Sequence, residues 1–285
     1  DSAVLTADKR IVLRKGTPHV ATPRPPDVAA GEIRLGNVWL SGRIAGLTEA
    51  HLFPVLETAY PEPKSVTPDV AERLLPKTHA RLREKQPLRI LAWGDSVTES
   101  AYLPREQKWQ ERFASRLRAR YPGAAVTVVS VSLNGGTSAR FLKDPPGGPY
   151  NFAEKVLAVK PDLIVSEFIN DASLDEAGVL KQYGGLLSAF RGIGAEWVIL
   201  TPHFSRPDWM GLRSENRIEA DPRPYVRGLR RFAETHGVAL ADASVRWARL
   251  WRQGLPYSTL LVNNINHPDE RGMEIFADAL MALFP

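Results

Sequence analysis

With 285 residues, 44% of them hydrophobic and 24% charged, the chain is long enough for one large globular domain, or one domain with an appendage. The net charge of +5 is spread over expected helix faces (Arg73, Arg81 and Arg83, then Arg227, Arg230 and Arg231), mostly beside Glu or Asp, which argues against nucleic-acid binding. No apolar run reaches the ~18 residues that cross a bilayer, and a chain without cysteine has neither disulfides nor thiol catalysis. The start at Asp1 rather than Met is expected of a processed form, which leaves a secreted or periplasmic location open.

Residues 1–65 are rich in proline (Pro18, Pro23, Pro25, Pro26, Pro54, Pro61, Pro63) and hold two strand-like pieces, Arg10–Leu13 and Ile33–Leu40. They are expected to form an N-terminal extension or small β appendage, with the main domain at 66–285. A helical pattern runs from Asp69 to about Lys85, and Pro76 should break or kink it. Strand candidates then alternate with helices: Leu88–Trp93, Val126–Leu133, Leu163–Ile169, Trp197–Thr201 and Val238–Ala241. They are mostly apolar runs, as expected of strands buried on both faces. Trp109, Phe113 and Leu117, and later Met273, Phe276, Leu280 and Leu283, recur at helical spacing. The alternation predicts a three-layer α/β/α domain around a five-stranded parallel sheet. Such sheets bind ligands at the carboxyl ends of their strands.

Four blocks fall there or beside the last helix. Gly94-Asp95-Ser96 follows the first core strand, where a serine at a helix N-terminus lies beside free N–H donors that favour developing negative charge. Asn134-Gly-Gly-Thr-Ser-Ala-Arg140 follows the second, Phe168-Ile-Asn-Asp171 the third, and Asn263-Asn-Ile-Asn-His-Pro268 precedes the last helix. Taken singly, each reads as ordinary structure: a serine N-cap, a strand-ending turn, a glycine loop, a proline in a first helical turn.

In this order the blocks resemble the SGNH (GDSL-type) hydrolases from Leu88 to Pro285. The resemblance implies a flavodoxin-like fold and a serine esterase without cofactor or metal. Ser96 becomes the nucleophile and His267 its base. The oxyanion donors become the N–H of Ser96, the N–H of Gly136 (with Gly135 as the neighbouring alternative) and the side chain of Asn170. The chain departs from the family pattern at Phe168, where glycine is usual, and at Asn264, three residues before His267, where an acid is usual. Asn264 then orients His267, or a backbone carbonyl does, or a carboxylate such as Glu167 or Asp269. Glu167, inside an apolar strand, otherwise reads as a buried, paired structural carboxylate.

Arg140, His203 and Trp209 are candidates to touch substrate, with Arg206 and Phe204 beside them, whereas Trp93 and Trp197 read as core. The remaining histidines, His19, His51, His79 and His236, are scattered and show no metal-ligand spacing. The expected substrate is a short-chain, acetyl ester on a carbohydrate, either a small molecule or a polysaccharide. The alternatives are a lipid or thioester esterase of the same fold, and a non-catalytic carbohydrate-binding protein.

Overall fold

The computed structural model describes residues 1–62 and 68–285; Pro63 and the boundary expected after residue 65 lie outside the described residues. The chain divides into two compact units. One comprises Asp1–Glu62, Phe204–Pro222 and Ser244–Gly272; the other comprises Pro63–His203, Arg223–Ala243 and Met273–Pro285. The N-terminal stretch therefore shares its unit with two later segments.

The first unit holds an antiparallel sheet of β1 (Ser2–Leu5), β2 (Ile11–Arg14), β3 (Ile33–Val38) and β4 (Leu52–Pro54), in the order β2-β1-β3-β4. So small a sheet buries little by itself, and the later segments complete it. Asn37 donates from Nδ2 to the carbonyl of Gly254 at 2.6 Å, and Val55 bridges to Gln253. Glu57 is gripped by both Arg249 and Arg252.

The second unit is built on β5 (Leu88–Gly94), β6 (Val126–Ser132), β7 (Leu163–Glu167), β8 (Glu196–Leu200) and β9 (Ala239–Ala241). All five are parallel, in the order β6-β5-β7-β8-β9. The four inner and far strands are buried almost throughout, as their apolar runs require. β6 departs from the expectation of burial on both faces. It is an edge strand, and several of its residues, Val129 among them, are exposed.

Helices α1 (Val70–Leu74) and α2 (Pro76–Arg83) replace the single helical pattern. Leu75 leaves helical geometry, and Pro76 starts the new helix, where its missing N–H costs nothing. Then follow α3 (Ser96–Glu99), α4 (Trp109–Arg120), α5 (Ser138–Lys143), α6 (Phe152–Lys155), α7 (Glu176–Gly192), α8 (Pro224–His236), α9 (Ala243–Arg249) and α10 (Glu270–Met281). On one face of the sheet, Leu91, Trp93, Ile164, Phe168, Trp197 and Ile199 pack against apolar residues of α5, α7 and α8. On the other side, Arg112 and Arg116 of α4 pair with Glu274, and Arg116 reaches Asp278 at 2.6 Å. The result is the expected three-layer α/β/α arrangement.

Trp93 is the hub of the first face. It is fully buried, with Phe168, Phe141, Phe152 and Phe190 ring centroids 4.7, 5.4, 5.5 and 5.8 Å away. Trp197 is also core and donates from Nε1 to Ser166 Oγ at 2.9 Å. Trp93→Ala is expected to cost about 3–5 kcal/mol, the range for deleting a buried aromatic ring. Trp93→Phe should cost clearly less, because among the described residues Trp93 Nε1 has no hydrogen-bond partner to lose. Urea unfolding checks both; a loss under about 1 kcal/mol for the alanine variant contradicts the central role of the ring.

Candidate active site

The nucleophile turn begins at Gly94, which pairs in the sheet with Ser132 and Glu167. A Cβ there would collide with the Thr98 side chain and the Glu167 carbonyl, so only glycine lets the strand turn this close to its neighbours. Asp95 caps α3 by accepting the Val97 N–H at 3.0 Å. Ser96 is the first residue of α3 and is half-buried at the carboxyl end of β5. α3 ends after one turn at Ser100, a non-glycine residue at φ +44°.

Asp95 does more than cap. Its Oδ2 accepts both the backbone N–H of Asn170 at 3.0 Å and its side-chain Nδ2 at 2.9 Å. The amide of Asn170 has two N–H groups, so this hold leaves one to donate elsewhere. Asp171, the next residue, ties in the glycine loop. Its carboxylate accepts from Ser138 N at 3.0 Å, Ser138 Oγ at 2.5 Å and Tyr183 Oη at 3.1 Å. Tyr183 in turn meets Tyr225 at 2.6 Å. Ser96, Asn170 and the stretch after Gly136 are thus joined through two buried acids.

Burial raises both acids, Asp95 to about 7 and Asp171 in the same direction. Glu167 is fully buried and pushed well above the carboxylate range, first by desolvation and then by the charge of Asp95, against the opposing pull of Arg223. Among the described residues, neither of its carboxyl oxygens has a hydrogen-bond partner. The expectation of a paired structural carboxylate is corrected here. The raised pKa supplies the reason, since a protonated acid is far cheaper to bury than an unpaired charge.

Gly136 also needs correcting as a ready donor. Its N–H closes the turn onto the Leu133 carbonyl at 2.8 Å, with Gly135 at φ +66° in between. A donor spent on a turn is not available to an oxyanion unless the turn opens. The Gly135 N–H makes no such bond among the described residues.

His267 lies in the other unit, half-buried, in a loop closed by Val262 N donating to the His267 carbonyl at 2.8 Å. Burial lowers its pKa below the ordinary value of 6.5. Asn264 is not its orienter. It stands at φ +56°, a conformation asparagine tolerates better than most residues, and its side chain donates to the Val20 carbonyl at 3.1 Å. Asn263 takes the place beside the ring. Its Oδ1 accepts the N–H groups of Ile265, Asn266 and His267 at 3.0, 2.9 and 3.0 Å, which fixes the amide so that Nδ2 faces His267 Nδ1 at 3.0 Å. An NH₂ group can only donate, so Nδ1 accepts and the ring proton resides on Nε2. Asp269 does not serve the ring either; it accepts from the N–H groups of Arg271 and Gly272 at 3.0 and 3.1 Å and pairs with Arg271.

The three residues expected to touch substrate are placed differently from one another. Arg140 is exposed on α5, 3.7 Å from Asp144. His203 is fully buried with its ring edge-on to Phe276, so it does not line an open pocket; Phe204 is buried as well. Trp209 is 63% exposed and lies under the Arg206 guanidinium at 5.8 Å. Sequence reasoning missed Asp95, Asp171 and Asn263. All three stand inside the blocks themselves, Asp95 beside Ser96, Asp171 beside Asn170 and Asn263 at the head of the histidine block.

Among the described residues no group of three or more His, Asp or Glu side chains is placed to hold a metal ion, and no helix is long and apolar enough to cross a membrane. No curated protein matches the sequence. Similar solved structures include LAE5, an alpha/beta hydrolase enzyme from the metagenome of Lake Arreo, Spain, at TM-score 0.54 and 20% identity over 69% of this chain and 94% of that one. Another is a variant of the acetyl xylan esterase Axe2 from Geobacillus stearothermophilus, at TM-score 0.53 and 20% identity over 69% and 94%. A two-domain esterase (CEX) active on acetylated mannans matches at TM-score 0.59 and 16% identity over 74% of this chain and 52% of that one. At these identities the likeness is one of fold. Residues 92–275 match the GDSL-like lipase/acylhydrolase family across well over half of the sequence, so the chain belongs to that family and is a carboxylic ester hydrolase.

Proposed function

We propose that the protein is a serine esterase that removes acetyl groups from a carbohydrate through an acyl-serine intermediate. The observation that carries this reading is the double hold of Asp95 on Asn170. It supports a serine hydroxyl and an amide donor kept on adjoining, rigid turns, as preorganised stabilisation of an oxyanion requires. The acetyl and carbohydrate parts draw on the acetyl xylan and acetylated mannan esterases that share the fold.

In this mechanism Ser96 Oγ attacks the ester carbonyl, and the oxyanion is met by the Ser96 N–H and the second N–H of Asn170 Nδ2. The glycine loop adds a third donor, from Gly135 in the turn as it stands. Losing one such donor typically costs about 3 kcal/mol. His267 takes the serine proton and passes it to the departing sugar hydroxyl; water then releases acetate by the reverse sequence. For this the Nε2 lone pair must be free, so the ring proton has to move to Nδ1 and the Asn263 amide has to give way. An amide, unlike a carboxylate, lends no charge to the imidazolium that forms. The same contact favours a second reading, a carbohydrate-binding protein without catalysis.

Hydrolysis of p-nitrophenyl esters from acetyl to dodecanoyl is expected to peak at acetyl and to vanish in Ser96→Ala. A serine-directed phosphonate should label the wild type and not the variant. Wild type inert at every length, and unlabelled, would favour the binding reading.

Asn263→Asp should keep the three backbone bonds through one oxygen and present the other as an acceptor to Nδ1. The expected result is a kcat about tenfold or more higher, a small part of the ~10⁴ that separates acid from amide in a serine protease triad. The sign of the pH effect follows. In the wild type, burial holds the imidazole neutral to below pH 6.5, so the acid limb of kcat/KM lies under that value. A carboxylate favours the charged ring and should move the limb up by about one pH unit. A limb that stays in place in Asn263→Asp shows that Nδ1 does not face this side chain during catalysis.

A further inference from the structure

The N-terminal unit contains a cleft of about 770 Å³ whose walls include His19, Trp39, His51, Arg206, Arg213 and Asn264. That volume lies in the ~300–1,000 Å³ range of small-molecule sites and is far larger than an acetyl group needs. Its polar groups are arranged in an unusual way. His19 Nδ1 accepts from the N–H groups of Ala21 and Thr22 at 3.2 and 2.9 Å. His51 Nδ1 accepts from Thr48 N at 3.0 Å. In both rings the backbone fixes the tautomer, which leaves Nε2–H as a donor.

Two arginines and two acids line the walls. Arg206 is paired with Asp208 at 2.5 Å, and Glu215 is committed to the N–H and hydroxyl of Ser258 at 2.8 and 2.7 Å. Arg213 is exposed. An uncharged ligand with many hydroxyls suits such a wall better than an anion, and Trp39 offers a flat apolar face for the C–H side of a sugar ring. The cleft is also tied to the histidine loop. Asn264, in its wall, donates to the Val20 carbonyl and precedes His267 by three residues.

Resting on the esterase reading above, we propose that this cleft binds the saccharide chain of the substrate, a neutral oligosaccharide, so that the N-terminal unit selects which acetylated sugar is processed.

The test uses the full chain. Wild type, Trp39→Ala and His19→Ala are compared on acetylated β-1,4-linked xylo- and manno-oligosaccharides and on p-nitrophenyl acetate. In parallel, unacetylated xylopentaose and mannopentaose are titrated into Ser96→Ala with and without each substitution. Because His19 is exposed, its variant keeps the test alive if Trp39→Ala fails to fold. The expected result is a kcat/KM on oligosaccharide that falls at least tenfold more than on p-nitrophenyl acetate, mainly through KM, with pentaose binding weakened in step. Equal losses on the two substrates, or pentaose binding untouched by either substitution, overturn the cleft while leaving an active esterase intact. Pentaose binding that depends on Trp39 in a protein inert towards every ester would keep the cleft and overturn the esterase. Absence of both binding and hydrolysis overturns both.

Discussion

A carboxylate removed from water must be surrounded by donors or give up its charge, and the end of the parallel sheet is organised by that demand. Asp95 answers it with three N–H groups: one from its own helix turn and two from Asn170. Asp171 answers it with the backbone and hydroxyl of Ser138 and the phenol of Tyr183. Each acid satisfies itself by pinning a loop that follows a different strand. The two acids thereby tie the turn around Ser96 to the loops that follow β6 and β7. Glu167 shows the other side of that demand: among the described residues neither of its oxygens meets a donor, and burial pushes its pKa well above the carboxylate range.

The histidine loop obeys the same logic with a neutral residue. Asn263 spends its oxygen on three successive N–H groups, which leaves its NH₂ group for the imidazole. An aspartate in that position could serve both the backbone and the ring as an acceptor, whereas an asparagine serves the backbone at the ring's expense. The polarity of one amide thereby decides whether His267 rests as a donor or as an acceptor at Nε2.

The architecture of the second unit is legible in the sequence because parallel strands covered by helices must be continuous apolar runs, and β5, β7 and β8 are such runs. β6 reads the same way yet lies at an edge, since strand order depends on crossover connections that periodicity does not encode. β1 and β4, four and three residues long, carry too little pattern to be seen; they exist because β3 lies between them. The blocks put Ser96 and Asn170 after the first and third core strands, and in the structure they follow β5 and β7. They do not reveal that the Gly136 N–H closes a turn. The left-handed kink at Asn264 is equally invisible, though it turns one asparagine towards Val20 while its neighbour takes the ring. Backbone dihedrals decide both outcomes, and spacing along a chain is silent on them.

The acid that organises the serine turn also sets a tension between folding and function. With a folded pKa near 7 against an ordinary 3.8, Asp95 keeps its proton in the folded chain over a range where the unfolded chain has lost it. Its contribution to stability is therefore fullest below about pH 4 and is lost as the pH rises towards 7. The ionised form, however, is the one whose two oxygens can accept all three N–H groups. A proton on Oδ2 would compete with the donors of Asn170 and loosen the amide beside Ser96. The turn is thus most firmly set at the pH where its acid supports the fold least, so the burden of keeping it folded passes to the aromatic core beneath, centred on Trp93 and Phe168. Active sites commonly carry such strain, and a well-packed layer behind the strand ends is what makes it tolerable.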